Sequence, residues 1–94
     1  MFQILIVEDD KNTRKLMEAV LKENGYYPIP AKDGMEALRL LDTCHIDLVI
    51  MDIMLPGLDG YELTRQLRET HFSLPILMVT AKQLPEDKRK GFIV

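Results

Sequence analysis

The sequence has no tryptophan, a single cysteine and no apolar run long enough to cross a membrane. One cysteine excludes an internal disulfide and favours a reducing compartment, so we expect a cytoplasmic protein that does not enter the membrane. Basic residues are not in excess: 12 Lys and Arg stand against 15 Asp and Glu, for a net charge of −3. Because nucleic-acid binding needs a clustered positive surface, we expect no direct contact with DNA or RNA.

Four short apolar segments predict the strands of one β-sheet. Residues 3–7 (QILIV), 47–52 (DLVIMD) and 74–80 (LPILMVT) are almost continuously apolar, as in strands of a parallel sheet that are covered on both faces. The segment 26–31 (YYPIPA) contains two prolines, which cannot donate to a strand ladder. We therefore expect this second strand to lie at an edge of the sheet.

Amphipathic segments follow each of these strands and predict four helices. They cover residues 11–25, 33–42, 60–69 and 84–92. Apolar side chains recur at helical spacing in the first helix, at Leu16, Met17, Val20 and Leu21. In the second helix, Met35, Leu38 and Leu41 are expected to lie on one side. Gly25 is expected just past the end of the first helix, where a left-handed residue commonly stands.

The alternation of strands and helices predicts an α/β protein with a parallel sheet and crossover helices on both faces. An edge-type second strand favours the flavodoxin-like doubly wound fold with strand order 2-1-3-4. At 94 residues the chain is expected to form a single domain over residues 1–94.

Oxygen-bearing side chains stand at the ends of three predicted strands. Glu8 and Asp9 follow the first strand, Asp52 ends the third and Thr80 ends the fourth. The carboxyl ends of parallel strands meet at one edge of the sheet, and ligands bind there near the point where the strand order reverses. Converging carboxylates with no His or Cys nearby favour Mg²⁺, or alternatively Mn²⁺. Such a site suits Asp52 as a nucleophile towards phosphorus, with Thr80 as a hydrogen-bond donor to a phosphoryl oxygen.

Three segments carrying these residues, "ILIVEDD", "LVIMDIMLPGLDGYEL" and "PILMVTA", closely resemble the receiver domain of bacterial two-component response regulators. The resemblance covers the whole chain. It implies a phosphoacceptor, not an enzyme in the ordinary sense, that receives a phosphoryl group from a histidine kinase and controls an attached transcriptional output domain.

The resemblance also implies a role for each matching residue. Asp52 would accept the phosphoryl group, and Mg²⁺ would be held by Glu8, Asp9, Asp52 and the backbone carbonyl of Met54. Thr80 matches the switch hydroxyl that meets the phosphoryl group, and Ala81 matches the small residue that leaves room for phosphate. Glu8 stands where many receivers have aspartate, so its metal contact is expected to run through water.

The chain departs from the family because it stops after the fourth predicted helix. A complete receiver has a fifth strand, which ends in a catalytic lysine, and a fifth helix. We expect the natural protein to continue for about 25 residues past Val94, since sheets of this type average about five strands. A chain without them would expose its fourth strand, and self-association through that strand or the fourth helix face would follow.

Other functions remain open at this stage. A receiver that only makes protein contacts, without phosphorylation, is the main alternative. A Mg²⁺-dependent phosphatase of the haloacid-dehalogenase type is less favoured, because Met54 stands where its general-acid aspartate belongs. A flavin mononucleotide binder wants a hydroxyl- and glycine-rich loop after the first strand, where this chain has EDDKNT. Cys44 and His45 lie in a loop at the opposite end of the strands and lack the further ligands of a zinc site.

Overall fold

The computed structural model describes residues 1–52, 60–70 and 73–79. Strands and helices alternate over these residues in the order β1 (Gln3–Val7), α1 (Lys11–Glu23), β2 (Tyr27–Ala31), α2 (Gly34–Thr43), β3 (Leu48–Asp52), α3 (Gly60–Thr70) and β4 (Ile76–Val79). The predicted strands and the first three predicted helices are therefore confirmed to within a few residues. The fourth predicted helix, over 84–92, lies outside the described residues.

The described strands form one parallel sheet in the order β2-β1-β3-β4. This confirms the predicted flavodoxin-like arrangement, in which the direction of winding reverses between β1 and β3. The edge position predicted for β2 is also confirmed. The N–H of Tyr27 donates to the carbonyl of Phe2 at 3.0 Å. Since alternate N–H groups of a strand point in opposite directions, those at positions 28 and 30 would face away from β1, and proline there breaks no ladder bond.

The main hydrophobic core lies between the sheet and the helices α2 and α3. Alternate residues of β1 and β3 point into it, and leucines of both helices cover them. Its buried members are Leu5, Val7, Ala31, Ala37, Leu41, Val49, Met51, Leu63, Leu67 and Met78. The intervening residues Ile4 and Ile6 are equally buried but point to the opposite face, where α1 packs on β1 and β2.

The α1 face of the sheet is less fully covered than the core face by the described elements. Leu16 and Val20 recur at helical spacing, yet they are 64% and 47% exposed. With Met17, Leu21 and Ile50 they line an open groove of about 300 Å³ between α1 and β3. Both side chains are exposed because α1 packs against β1 and β2, and among the described helices only α1 lies on this face.

The apolar side of α2 is narrower than its sequence pattern indicates. Leu41 is buried and Leu38 half-buried as expected, but Met35 is 71% exposed. Side chains three residues apart in an α-helix differ in direction by about 60°, because three residues fall that far short of a full turn. Two such intervals turn Met35 about 120° from Leu41, away from the core, so the expectation that it shares their side is wrong.

The helix ends follow the local chemistry of the chain. α1 ends at Glu23, and Gly25 just beyond it adopts a φ of +88°, the left-handed conformation expected there. Asp33 accepts a hydrogen bond from the N–H of Glu36 at 2.8 Å and so caps the start of α2. None of the described helices has the length and apolar character needed to span a membrane.

Candidate functional site

Three carboxylates meet at the carboxyl edge of the sheet, between β1 and β3. The two strands pair in parallel, with Val7 opposite Met51, so the residues that follow, Glu8 and Asp52, are neighbours. One carboxylate oxygen from each of Glu8, Asp9 and Asp52 lies within 4.8 Å of those of the other two. The structure thus brings together the three acidic residues that the sequence places at strand ends.

Two of these acids are withdrawn from solvent and the third faces it. Glu8 and Asp52 are each only 4% exposed, whereas Asp9 is exposed. Adjacent buried carboxylates repel one another and lose hydration, and a bound cation relieves both costs. The donor set consists of oxygen alone, which matches the preference of hard divalent cations such as Mg²⁺.

A cavity of about 160 Å³ opens beside the carboxylates. It is lined by Glu8, Asp52, Thr13, Met17, Met51 and Val79. One water needs only about 10–15 Å³ of such space, so the cavity has room for a cation that keeps several waters. Its apolar walls lower the local dielectric constant, which strengthens electrostatic interactions with any charged group that enters.

The loop between β1 and α1 is held by hydrogen bonds of its own residues. The N–H of Glu8 donates to the carbonyl of Ala31 at 3.0 Å, and Oε2 of Glu8 accepts from the N–H of Asp10 at 3.0 Å. Oδ2 of Asp10 accepts from the N–H and the hydroxyl of Thr13, at 2.8 and 2.7 Å. Asp10 is therefore the N-cap of α1.

No role was assigned to Asp10 from the sequence. The available signal was an aspartate directly before the helix, with its N–H partner Thr13 three residues on.

A second residue without an assigned role, Arg14, donates from Nη1 to the carbonyl of Glu8 at 2.8 Å. No local sequence pattern predicts that contact.

The remaining predicted site residues lie outside the described part of the chain. These are Met54, Thr80 and Ala81. Val79, the last described residue of β4, pairs with Asp52 across the sheet. The predicted roles of Met54, Thr80 and Ala81 stay predictions.

Cys44 and His45 lie at the amino end of the strands, away from the carboxylates. His45 Nε2 is hydrogen-bonded to Oδ1 of Asp47 at 2.8 Å, and Oδ2 of Asp47 accepts from the N–H of Gln3 at 2.8 Å. The hydrogen bond from Gln3, with a smaller effect of His45, holds the pKa of the Asp47 carboxyl below its ordinary value of 3.8. This network ties the loop before β3 to the start of β1.

Comparison with known proteins assigns the chain to a family. The sequence profile of the response regulator receiver domain matches residues 4–94. The chain belongs to the response regulator receiver family. The resemblance inferred from the sequence is therefore confirmed, and it places the domain in two-component signalling.

Curated relatives of this receiver are longer proteins with related names. The chain is 44% identical to the alkaline phosphatase synthesis transcriptional regulatory protein PhoP of Bacillus subtilis, over 95% of this chain and 37% of PhoP. It is 43% identical to the response regulator MprA of Mycobacterium sp. (strain KMS), over 95% of this chain and 39% of MprA. Against the sensor histidine kinase RcsC of Escherichia coli the identity is 40%, over 93% of this chain and 9% of RcsC. The chain thus spans less than two-fifths of each of these relatives.

Solved receiver structures share the fold. TrrA of Thermotoga maritima, in complex with Mg²⁺-BeF, superposes on this chain with a TM-score of 0.83 at 36% sequence identity. The match covers 95% of this chain and 75% of the TrrA chain. The chemotaxis response regulator CheY4 of Vibrio cholerae gives a TM-score of 0.82 at 32% identity, covering 95% and 76%.

Proposed function

We propose that Asp52 of this receiver accepts a phosphoryl group from the phosphohistidine of a histidine kinase, in a reaction that depends on Mg²⁺. The observation that carries the proposal is the convergence of Glu8, Asp9 and Asp52 within 4.8 Å at the edge where β1 and β3 end. The complex of the related TrrA with Mg²⁺-BeF supports the same chemistry.

The residues present fit a bound Mg²⁺ ion. Glu8, Asp9 and Asp52 would hold it, together with the carbonyl of Met54 as the family resemblance implies. When bound, the cation offsets the negative charge that would otherwise repel an incoming phosphoryl group. Mn²⁺ prefers similar oxygen ligands and is expected to substitute.

In the proposed reaction a carboxylate oxygen of Asp52 forms a bond to phosphorus. The phosphorus–nitrogen bond of the phosphohistidine breaks, and its electron pair returns to the imidazole of the kinase. The product is an acyl phosphate on Asp52. The hydroxyl of Thr80 would donate a hydrogen bond to a phosphoryl oxygen. The small side chain of Ala81 would leave room for the phosphate to enter.

We propose further that residues 1–94 act as one receiver domain in the cytoplasm and control an attached output. The names of PhoP and MprA support a transcriptional output, and the name of RcsC supports a kinase as the partner class. In this role the domain is a phosphoacceptor and not a classical enzyme. Self-association through β4 or through the fourth predicted helix stays a prediction that measurement of the oligomeric state would test.

Intact-mass measurement after incubation with acetyl phosphate and Mg²⁺ tests the phosphoacceptor role. We expect a gain of about 80 Da, one phosphoryl group, in the wild-type chain. The gain should disappear in Asp52→Asn and in EDTA. Asp42→Asn is the matched control, because Asp42 is exposed on α2, and it should be phosphorylated like the wild type.

If the wild-type chain is folded but gains no mass, the result contradicts the proposal that residues 1–94 by themselves accept a phosphoryl group. The same experiment on a chain extended past Val94 then separates two explanations. A gain restored by the extension would mean that later residues complete the site. No gain in either would favour a receiver that acts only through protein contacts.

A further inference from the structure

Arg14 contacts the backbone of the acidic loop at three consecutive residues. Its Nη1 donates to the carbonyl of Glu8 at 2.8 Å and reaches the carbonyl of Asp9 at 3.5 Å. Its own backbone N–H donates to the carbonyl of Asp10 at 2.9 Å. The side chain is half-buried in the first turns of α1. The Arg14 side chain therefore contacts the main chain of Glu8 and Asp9, and the first backbone hydrogen bond of the helix holds that of Asp10.

These contacts act on the direction of the carboxylates through the peptide planes. A peptide unit is rigid, so fixing a carbonyl fixes the plane and restricts the Cα–Cβ bonds on either side of it. The N–H of Glu8 is anchored independently to the carbonyl of Ala31 at 3.0 Å. Glu8 is thus held from β2 on its amino side and from α1 on its carbonyl side.

We propose that Arg14 is a positioning residue, which holds the β1–α1 loop so that the carboxylates of Glu8 and Asp9 face Asp52. The inference rests on the proposed Mg²⁺-dependent function of that site. Arg14 acts through main-chain oxygens and does not serve as a metal ligand or as a contact to phosphate.

The two effects of removing Arg14 on metal affinity have opposite signs. Loss of a nearby positive charge, taken alone, makes the acidic site more negative and tightens Mg²⁺ binding. Loss of the hydrogen bonds lets the loop move and weakens binding, since residues that orient metal ligands typically contribute 10- to 100-fold to affinity. The sign of the change therefore separates positioning from simple electrostatics.

Calorimetric titration with MgCl₂ tests the inference on wild type, Arg14→Ala, Arg14→Lys and Lys15→Ala. Lys15 is the matched control, because it is an exposed cation one position further along α1. We expect about tenfold weaker Mg²⁺ binding in Arg14→Ala. Lys15→Ala should bind as the wild type does or slightly tighter. Arg14→Lys keeps the charge without the planar fork of donors, so its affinity should fall between wild type and Arg14→Ala.

Thermal unfolding of the same variants in EDTA separates positioning from a purely structural role. A lower melting temperature in Arg14→Ala with unchanged Mg²⁺ affinity would overturn the inference, and so would tighter binding. If Arg14→Ala does not fold, Arg14→Lys decides: weaker Mg²⁺ binding supports positioning and wild-type affinity overturns it. If the wild type is folded but binds no Mg²⁺, the proposed function and this inference are both overturned. If the wild type binds Mg²⁺ and the Arg14 variants bind it with the same affinity, only the inference is overturned.

Discussion

A carboxylate oxygen of Asp52 lies within 4.8 Å of a carboxylate oxygen of Glu8, and both side chains are 4% exposed. Asp52 is the last residue of β3 and Glu8 directly follows β1, so the sheet holds the backbone of both near each other. The site therefore holds like charges close together on two residues that are almost fully buried. Such an arrangement costs stability in the absence of a cation and creates affinity for one.

Asp52→Asn should stabilise the chain when no divalent cation is present, because it removes one charge from the carboxylate cluster. We expect the free energy of unfolding to rise by up to about 3 kcal/mol, since two like charges about 5 Å apart interact by about that much at an effective dielectric constant near 20. Urea unfolding in EDTA measures the change. The exposed Asp42→Asn serves as control and should leave the midpoint nearly unchanged.

Excess Mg²⁺ should reduce the stability advantage of Asp52→Asn over the wild type. At 100 times the dissociation constant, binding to the folded state adds about 2.7 kcal/mol to the wild type and less to Asp52→Asn. A variant that is less stable than the wild type in EDTA would show that repulsion among the three acids is not the dominant effect of Asp52.

Asp10→Ala should destabilise the chain by about 1 kcal/mol, because it removes the acceptor for the N–H and the hydroxyl of Thr13 at the start of α1. Asp10→Asn should retain most of the stability. Urea unfolding of both variants measures the effect, with Asp33→Ala as a comparison at the N-cap of α2. Equal stability of Asp10→Ala and wild type would mean that the cap of α1 contributes nothing.

Asp47→Asn tests the lowered pKa of Asp47. A carboxyl whose pKa is lower in the folded state stabilises that state while it is ionised, at pH values above its unfolded pKa near 3.8. The advantage of wild type over Asp47→Asn should therefore be present at neutral pH and decline as the pH falls through the lowered folded pKa. Urea midpoints measured from neutral pH to below the folded pKa follow the difference. A difference that stays constant over this range would contradict the assignment.

Two leucine truncations test the asymmetry between the faces of the sheet. Leu67 is fully buried in α3, and Leu16 is 64% exposed on α1. Leu67→Ala should cost about 2–5 kcal/mol, the usual range for a buried leucine. Leu16→Ala should change the free energy of unfolding by less than about 0.5 kcal/mol, as at other exposed positions. Chemical denaturation measures both, and a large loss for Leu16→Ala would show that its groove is covered in solution.

The fold followed from the sequence because its elements are specified locally. Continuous apolar runs predict β1, β3 and β4, and the prolines of β2 confine that strand to an edge. The edge position of β2 then favours the order 2-1-3-4, and the right-handedness of crossover connections fixes the face of the sheet that each helix covers. The convergence of Glu8, Asp9 and Asp52 follows in turn, since the ends of adjacent parallel strands must meet.

Other features depended on how the helices sit on the sheet. Periodicity shows that Leu16 and Val20 share a side of α1, but only the packing of α1 over β1 and β2 leaves that side open. The contact of Arg14 with the carbonyl of Glu8 joins residues six positions apart across a strand–helix junction.

The sequence by itself thus determined the order of strands and helices, the family and the three acids at the carboxyl edge. The element order and the meeting of the acids follow from residue type and from rules that hold for any parallel α/β sheet, and the family follows from the resemblance of three sequence motifs. Only the tertiary structure decided which acids are buried and which cation holds their loop. Those outcomes depend on distances of a few ångströms between elements, which the order of residues along the chain does not specify.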